Sequence, residues 1–186
     1  MVNADDFGKS MKRNMAIDRS IQQNICTQAS IMVNTEYTLD AVEKAKNGGY
    51  NDRIALHLNL TYGQALTNSI KDTLFCDSHG DFRSVPSVKR TLVYGNRQEV
   101  LCIRNECEAQ IKKYIELGFE CCHIDSHNWV HLHLPVWIAI LPLLKKYGFK
   151  SVRPMRKGLM RRDSPYLRPY YIFMNMIIEM SKMRFS

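Results

Sequence analysis

Two adjacent carboxylates, Asp5 and Asp6, and two histidine-bearing segments, His57-Leu58-Asn59-Leu60-Thr61 and His123-Ile124-Asp125-Ser126-His127, are the parts of this sequence best suited to chemistry. Together they offer hard oxygen donors and neutral nitrogen donors. That mixture holds a catalytic divalent metal while leaving a position open for water. Metal-assisted hydrolysis is the chemistry it implies. Two carboxylates this close repel, so a cation or a shared proton must separate their roles. One can ligate a metal while its neighbour takes a proton from an attacking water. An Asp-rich turn capping the next helix, and a hydrogen-bonded core histidine at position 57, are the plainer alternatives.

Each of these segments closes a hydrophobic, strand-like run, and helical patterns separate the runs. Residues 1–3 end a first strand, and Ser10 caps a helix to about Asn24 with Met11, Met15, Ile17 and Ile21 on its apolar side. Ser30–Val33 reads as a second strand, and Leu39–Lys46 as a helix stopped by Gly48-Gly49. In a third strand, Ile54–Leu60, alternation sends Ile54, Leu56, Leu58 and Leu60 to one face and Ala55, His57 and Asn59 to the other. Residues 62–95 form a long irregular insertion with a turn at His79-Gly80-Asp81. A helix over Asn96–Leu117 follows, carrying Val100, Ile103, Ile111, Tyr114 and Ile115 as its stripe. The fourth strand, Cys121–Asp125, puts His123, Asp125 and His127 on one face, an arrangement costly to bury without a metal or a proton network. Asp125 can ligate, or can orient a neighbouring histidine. His131 and His133 fall past the strand end; for His131 a solvated loop residue and a residue of the site are both open readings, and His133 is expected to be a solvated loop residue. Leu134–Tyr147 is a helix and Ser151–Arg153 a short fifth strand.

Strand–helix alternation predicts a parallel sheet with helical crossovers. An α/β barrel and an open doubly wound sheet both satisfy the pattern. The polar motifs sit at the carboxyl ends of different strands, as in barrel enzymes, and no GxGxxG marks a dinucleotide fold. The expected fold class is therefore α/β, a (β/α) barrel with outer helices, incomplete because five strands do not close a barrel of eight.

The 186 residues suit a single domain, 1–186. The formal charge of +8 is lopsided: nine Lys/Arg against two Asp/Glu lie between Lys150 and Ser186, and the rest is nearly neutral. A nucleic-acid binder would spread its basic surface differently, so no nucleic-acid partner is expected. Six cysteines without a CxxC pair read as reduced thiols, and with no signal peptide or apolar run of roughly 18 residues the expected location is cytoplasmic. The basic tail holds an apolar stretch, Tyr170–Met180, better explained as a packing helix than as a membrane-surface segment. Exposed apolar surface there would favour a homodimer.

The order Asn3-Ala4-Asp5-Asp6-Phe7-Gly8, then Leu56-His57-Leu58-Asn59-Leu60-Thr61, then His123-Ile124-Asp125-Ser126-His127 before a His-rich stretch and Pro135, resembles the YdjC-like carbohydrate deacetylases. The likeness covers most of residues 1–154, including Ser30–Asn34 and Ser151–Pro154. It implies a deacetylase-type barrel removing N-acetyl groups from chitin-like oligosaccharides with one divalent ion, magnesium or zinc. Carried over, Asp6, His57 and His127 would ligate the metal and Asp5 would act as general base. Asp125 and Arg153 would support, with His123, His131 and Asn59 near the site. Trp129 stands where the family usually has histidine; an indole cannot ligate but can stack on a sugar face. Such proteins also carry a longer first strand and a late His-Pro motif, so this chain is expected to be a shortened form with metal binding kept and catalysis less certain. A non-catalytic relative that binds metal and sugar, and a metal-dependent phosphoesterase, are the competing functions.

Overall fold

The computed structural model describes residues 2–84, 92, 95–120, 123–154 and 167–182. The expected strand start at Cys121 and Cys122, and residues 155–166 of the basic segment, lie outside them. Among the described residues five strands form one sheet: β1 (Asn3–Phe7), β2 (Gln28–Ile31), β3 (Ile54–Leu58), β4 (His123–Ser126) and β5 (Ser151–Val152). Their spatial order is β1-β2-β3-β4-β5 and every neighbouring pair is parallel. Strands laid down in chain order, without reversal, wind in one direction. That is the winding of a barrel segment and not of a doubly wound sheet, whose order reverses at a switch point. Among the described residues the sheet stays open.

The crossovers are α1 (Met11–Gln22), α2 (Thr38–Asn47), α3 (Arg97–Glu116) and α4 (Leu134–Tyr147), followed after β5 by α5 (Arg168–Lys182). Ser10 caps α1, its hydroxyl accepting from the Arg13 amide, and Asn96 caps α3 through the Glu99 amide. Pro135 lies in the first turn of α4, and Gly148 ends that helix in the left-handed region, φ 73°. The inward face of α1 differs from the expected one. Ile17 and Ile21 are buried, but Met11 and Met15 are exposed, and Asn14 takes the inner position. On α3, Ile103, Ile111 and Tyr114 are buried while Ile115 is exposed, and two polar residues, Glu106 and Gln110, complete the buried face.

Glu106 explains how the long insertion is held. Its carboxylate accepts from the amides of Leu66 (3.0 Å) and Thr67 (2.8 Å), from the Thr67 hydroxyl (2.9 Å) and from the Gln110 amide (2.9 Å). Gln110 in turn donates to the Asn59 carbonyl and accepts from the Asn59 amide, so α3 grips both the insertion and the end of β3. A tight turn closes farther along, where Asp77 accepts from the amides of His79, Gly80 and Asp81. The C-terminal helix α5 packs by Met174 and Ile178, both buried, and the Tyr170 hydroxyl lies 2.6 Å from the Leu92 carbonyl and 2.7 Å from that of Leu132. Ile172, Phe173, Met176 and Met180 remain exposed. The four cysteines among the described residues are free thiols.

Candidate metal centre

At the carboxyl end of β1 the backbone departs from regular strand geometry. The register with β2 shifts between Ala4 and Phe7, and Asp6 takes a positive φ of 69°. A non-glycine residue there is strained and must be held by its contacts. The shift separates the two aspartates: Asp6 is buried, while the Asp5 side chain keeps 45% of its surface. Gly8 then turns the chain at φ 95°, where a Cβ would lie 2.7 Å from the Met32 carbonyl oxygen, so no other residue fits without movement. Its amide donates to Asn14 Oδ1 at 2.7 Å, and Asn14 donates onward to the Tyr37 carbonyl and to Asp40. The inward asparagine of α1 thus fixes the turn that aims Asp6.

β3 and β4 are in register with His57 beside Asp125. Paired residues of parallel strands share a face, so the imidazole and the carboxylate meet. His57 Nδ1 lies 2.5 Å from Asp125 Oδ1 and 3.1 Å from Ser30 Oγ. The ionised Asp125 can only accept, so Nδ1 carries a proton and Nε2 faces Asp6 Oδ1, 3.2 Å away. Past β4, Asn128 and Trp129 are both left-handed, with φ of 53° and 59°. This double reversal turns His127 back over the sheet, with Nδ1 2.8 Å from the same Asp6 oxygen.

Asp6, His57 and His127 can each point a ligand atom into one space, all within 4.8 Å of one another. One carboxylate and two imidazoles fit a divalent transition metal better than magnesium, which prefers oxygen. The arrangement around them also fits. Asp125 holds His57 in the tautomer that presents Nε2, the usual device by which an outer carboxylate orients a metal-binding histidine. Burial alone would raise the Asp6 pKa, but hydrogen bonds and charge from His127 and His57 hold it far below the usual carboxylate range. Burial would likewise depress His57; the Asp125 and Asp6 carboxylates outweigh it and push its pKa up to about 9.

Arg153, just beyond β5, clamps Asp5 with both terminal nitrogens at 2.8 Å, and Asn3 donates to the same carboxylate at 2.7 Å. The same guanidinium ion-pairs with Asp125 Oδ2 at 2.5 Å. Burial opposes ionisation of Asp125, and His57 and Arg153 overcome it, keeping its pKa below the ordinary value. Trp129 stacks under this arginine, its ring centre 5.7 Å from the guanidinium carbon.

Other expected residues are placed differently. His123 is half-buried and its Nδ1 lies 2.7 Å from Ser151 Oγ, bracing β4 to β5 outside the three-residue cluster. His133 is not the solvated loop residue expected, and for His131 the solvated reading also fails; both are buried. His131 bridges Ser126 Oγ and the Arg153 carbonyl oxygen, so it supports the arginine's backbone and does not face the cluster. Burial pushes the pKa of each down to about 4. Asn59 is fully buried, and its side chain bonds Asn34, the Tyr62 carbonyl and the Thr61 amide, which makes it a positioning residue. Missed in the sequence were Lys9, Asn14, Ser30, Tyr62, Glu106 and Gln110. A polar residue inside an apolar helical stripe was the available signal for Asn14, Glu106 and Gln110.

Known proteins resemble this chain to different extents. A carbohydrate deacetylase of Clostridium beijerinckii is 32% identical over 151 residues, 80% of this chain and 57% of that protein. One from Brevibacillus brevis is 32% identical over 147 residues, 79% of this chain and 56% of that protein. The chain therefore spans somewhat over half the length of these relatives. A solved structure from Enterococcus faecalis, described as a cellobiose-phosphate cleavage protein, has the same fold at a TM-score of 0.75 and 23% identity, covering 96% of this chain and 64% of that one. A family model described as YdjC-like protein matches residues 1–183, and the chain belongs to the YdjC-like family.

Proposed function

We propose that this chain is a metal-dependent hydrolase that removes acetyl groups from N-acetylated amino-sugar oligosaccharides. The observation that carries the reading is the convergence of Asp6, His57 and His127 on one space, with Asp5 tied to it through Arg153 and Asp125. The relatives' designation as carbohydrate deacetylases supports the reaction class. When bound by Asp6, His57 and His127, a divalent ion such as zinc supplies Lewis-acid polarisation of the amide carbonyl and of water. Asp5 accepts the proton of the attacking water. Arg153 and Asn3 fix the direction of that carboxylate, which would otherwise swing freely on the exposed side of the strand. Asp125 keeps His57 oriented, and Trp129, beside Arg153, offers an aromatic face to a pyranose ring.

A phosphoesterase reading is weaker. The described residues hold one three-ligand cluster, not the two metals such enzymes commonly use, and Arg153 is already paired with Asp5 and Asp125. No helix among the described residues is long and apolar enough to cross a membrane. The test is acetate release from a panel of N-acetylglucosamine oligomers with zinc or magnesium, with and without a chelator. Chelation, Asp5→Asn and His57→Ala should each abolish release; turnover retained in either variant refutes the assigned roles. Saturable metal binding without release under any condition would favour the non-catalytic relative.

A further inference from the structure

Beyond the ligand set itself, a cation of the chain's own lies against it. Lys9 Nζ is 3.4 Å from Asp6 Oδ2 and 3.3 Å from His127 Nε2, touching two of the three residues assigned to the metal. Arg13 reaches the same Asp6 oxygen at 3.3 Å but does not touch His127 in this arrangement. An ammonium can only donate, so His127 Nε2 must accept from Lys9, and the ring proton sits on Nδ1, donated to Asp6 Oδ1.

We infer that Lys9 is a tethered competitor for the divalent metal, occupying the Asp6–His127 edge of the centre until metal displaces it. Both possible modes of histidine ligation lead to this result. If the metal takes Nε2, it takes the lone pair that Lys9 now uses. If it takes Nδ1, the ring proton moves to Nε2, which then has no lone pair to accept from Lys9. In either case an ammonium would face a dication at close range in a half-buried setting, a strongly repulsive arrangement. The displaced side chain has somewhere to go. A cavity of about 530 Å³ adjoins the centre, lined by Lys9 itself with Asn34, Thr35, Glu36, Tyr62 and Gln64. Lys9 Nζ already lies 5.0 Å from the Tyr62 ring centre, a position favourable to a cation, and Glu36 offers an opposite charge on the wall. Metal loading would therefore move a positive charge from the centre into the neighbouring cavity.

The inference rests on the metal-site reading, and the experiment separates the two. Zinc affinity of the full chain is measured by competition with a chromophoric chelator, counting only the site lost in His57→Gln. Lys9→Met keeps the aliphatic stem and removes the charge; it should bind zinc about threefold to fivefold more tightly than wild type, the order of one partly exposed ion pair released. Lys9→Arg should show no such gain. Lys12→Met removes the same unit charge from the neighbouring groove lined by Asp5 and Arg13, and should leave affinity unchanged. Equal or weaker binding by Lys9→Met, or an equal gain in Lys12→Met, overturns the role of Lys9 and leaves the metal site standing. Absence of a His57-dependent zinc site in all these proteins overturns both.

Discussion

Replacing Glu106 by alanine should destabilise the protein by about 3–5 kcal/mol. The figure follows from the donors it would strand. The Leu66 and Thr67 amides point at the carboxylate at 3.0 and 2.8 Å, in a place where Glu106 itself is fully buried. Each backbone donor left without a partner costs about 1–3 kcal/mol, while the Thr67 hydroxyl and the Gln110 amide can turn to other acceptors. Glu106→Gln keeps the volume but sets its amide hydrogens against donors, so a loss of about 1–2 kcal/mol is expected. Urea unfolding followed by circular dichroism measures both. Amide hydrogen exchange at Leu66 and Thr67 tests the mechanism, because the insertion should lose protection before the sheet does. A loss below about 1 kcal/mol for Glu106→Ala, or unchanged protection at those two amides, would show that Glu106 does not hold the insertion. The effect should extend to the candidate metal centre, since the same insertion carries Tyr62, whose ring lies 6.1 Å from that of His127.

Gly8→Ala should cost about 2–4 kcal/mol, combining a positive φ with a Cβ that meets the Met32 carbonyl; a urea midpoint within error of wild type would refute it. Acid should weaken the fold between pH 6.5 and 4. His131 and His133 stay neutral in the native state, with pKa values near 4, but protonate near 6.5 when unfolded, so the unfolded state binds more protons and stability falls as pH falls through that window. The ceiling is about 3 kcal/mol for each imidazole, and a stability profile flat from pH 7 to 4 would contradict it.

Much of the fold was legible because hydrophobic runs and their spacing decide it. Leu134–Tyr147 could be bounded at both ends, since Pro135 opens it and Gly148 closes it. The alternation in Ile54–Leu60 was enough to turn His57 inward. Buried polar residues were harder, because their placement depends on partners distant in the chain. Asn14 looks like a surface residue until Gly8, Tyr37 and Asp40 surround it. Met11 and Met15 fit the apolar periodicity of α1 and are nonetheless exposed, since a helix face is chosen by what it packs on and not by hydrophobicity alone. His131 and His133 follow a strand end, where loops are usually wet; the tight turn after His127 instead folds them under the sheet edge. Nothing in the local sequence of Lys9 points to His127, 118 residues away.

That same long reach bears on the order in which the molecule forms. Asp6 and His127 are 121 residues apart, and His57 and Asp125 are 68 apart, so the centre exists only after β1 to β4 have aligned. Contacts of such separation carry the largest loop-closure entropy and belong to the late part of folding. Whatever fills the centre binds the native chain and finds no matching site in the unfolded one. Its grip should therefore show in how slowly the folded protein comes apart rather than in how fast it forms. A metal held there would then serve the sheet as a lock set after closure, tying β1 to β3 and to the turn that follows β4.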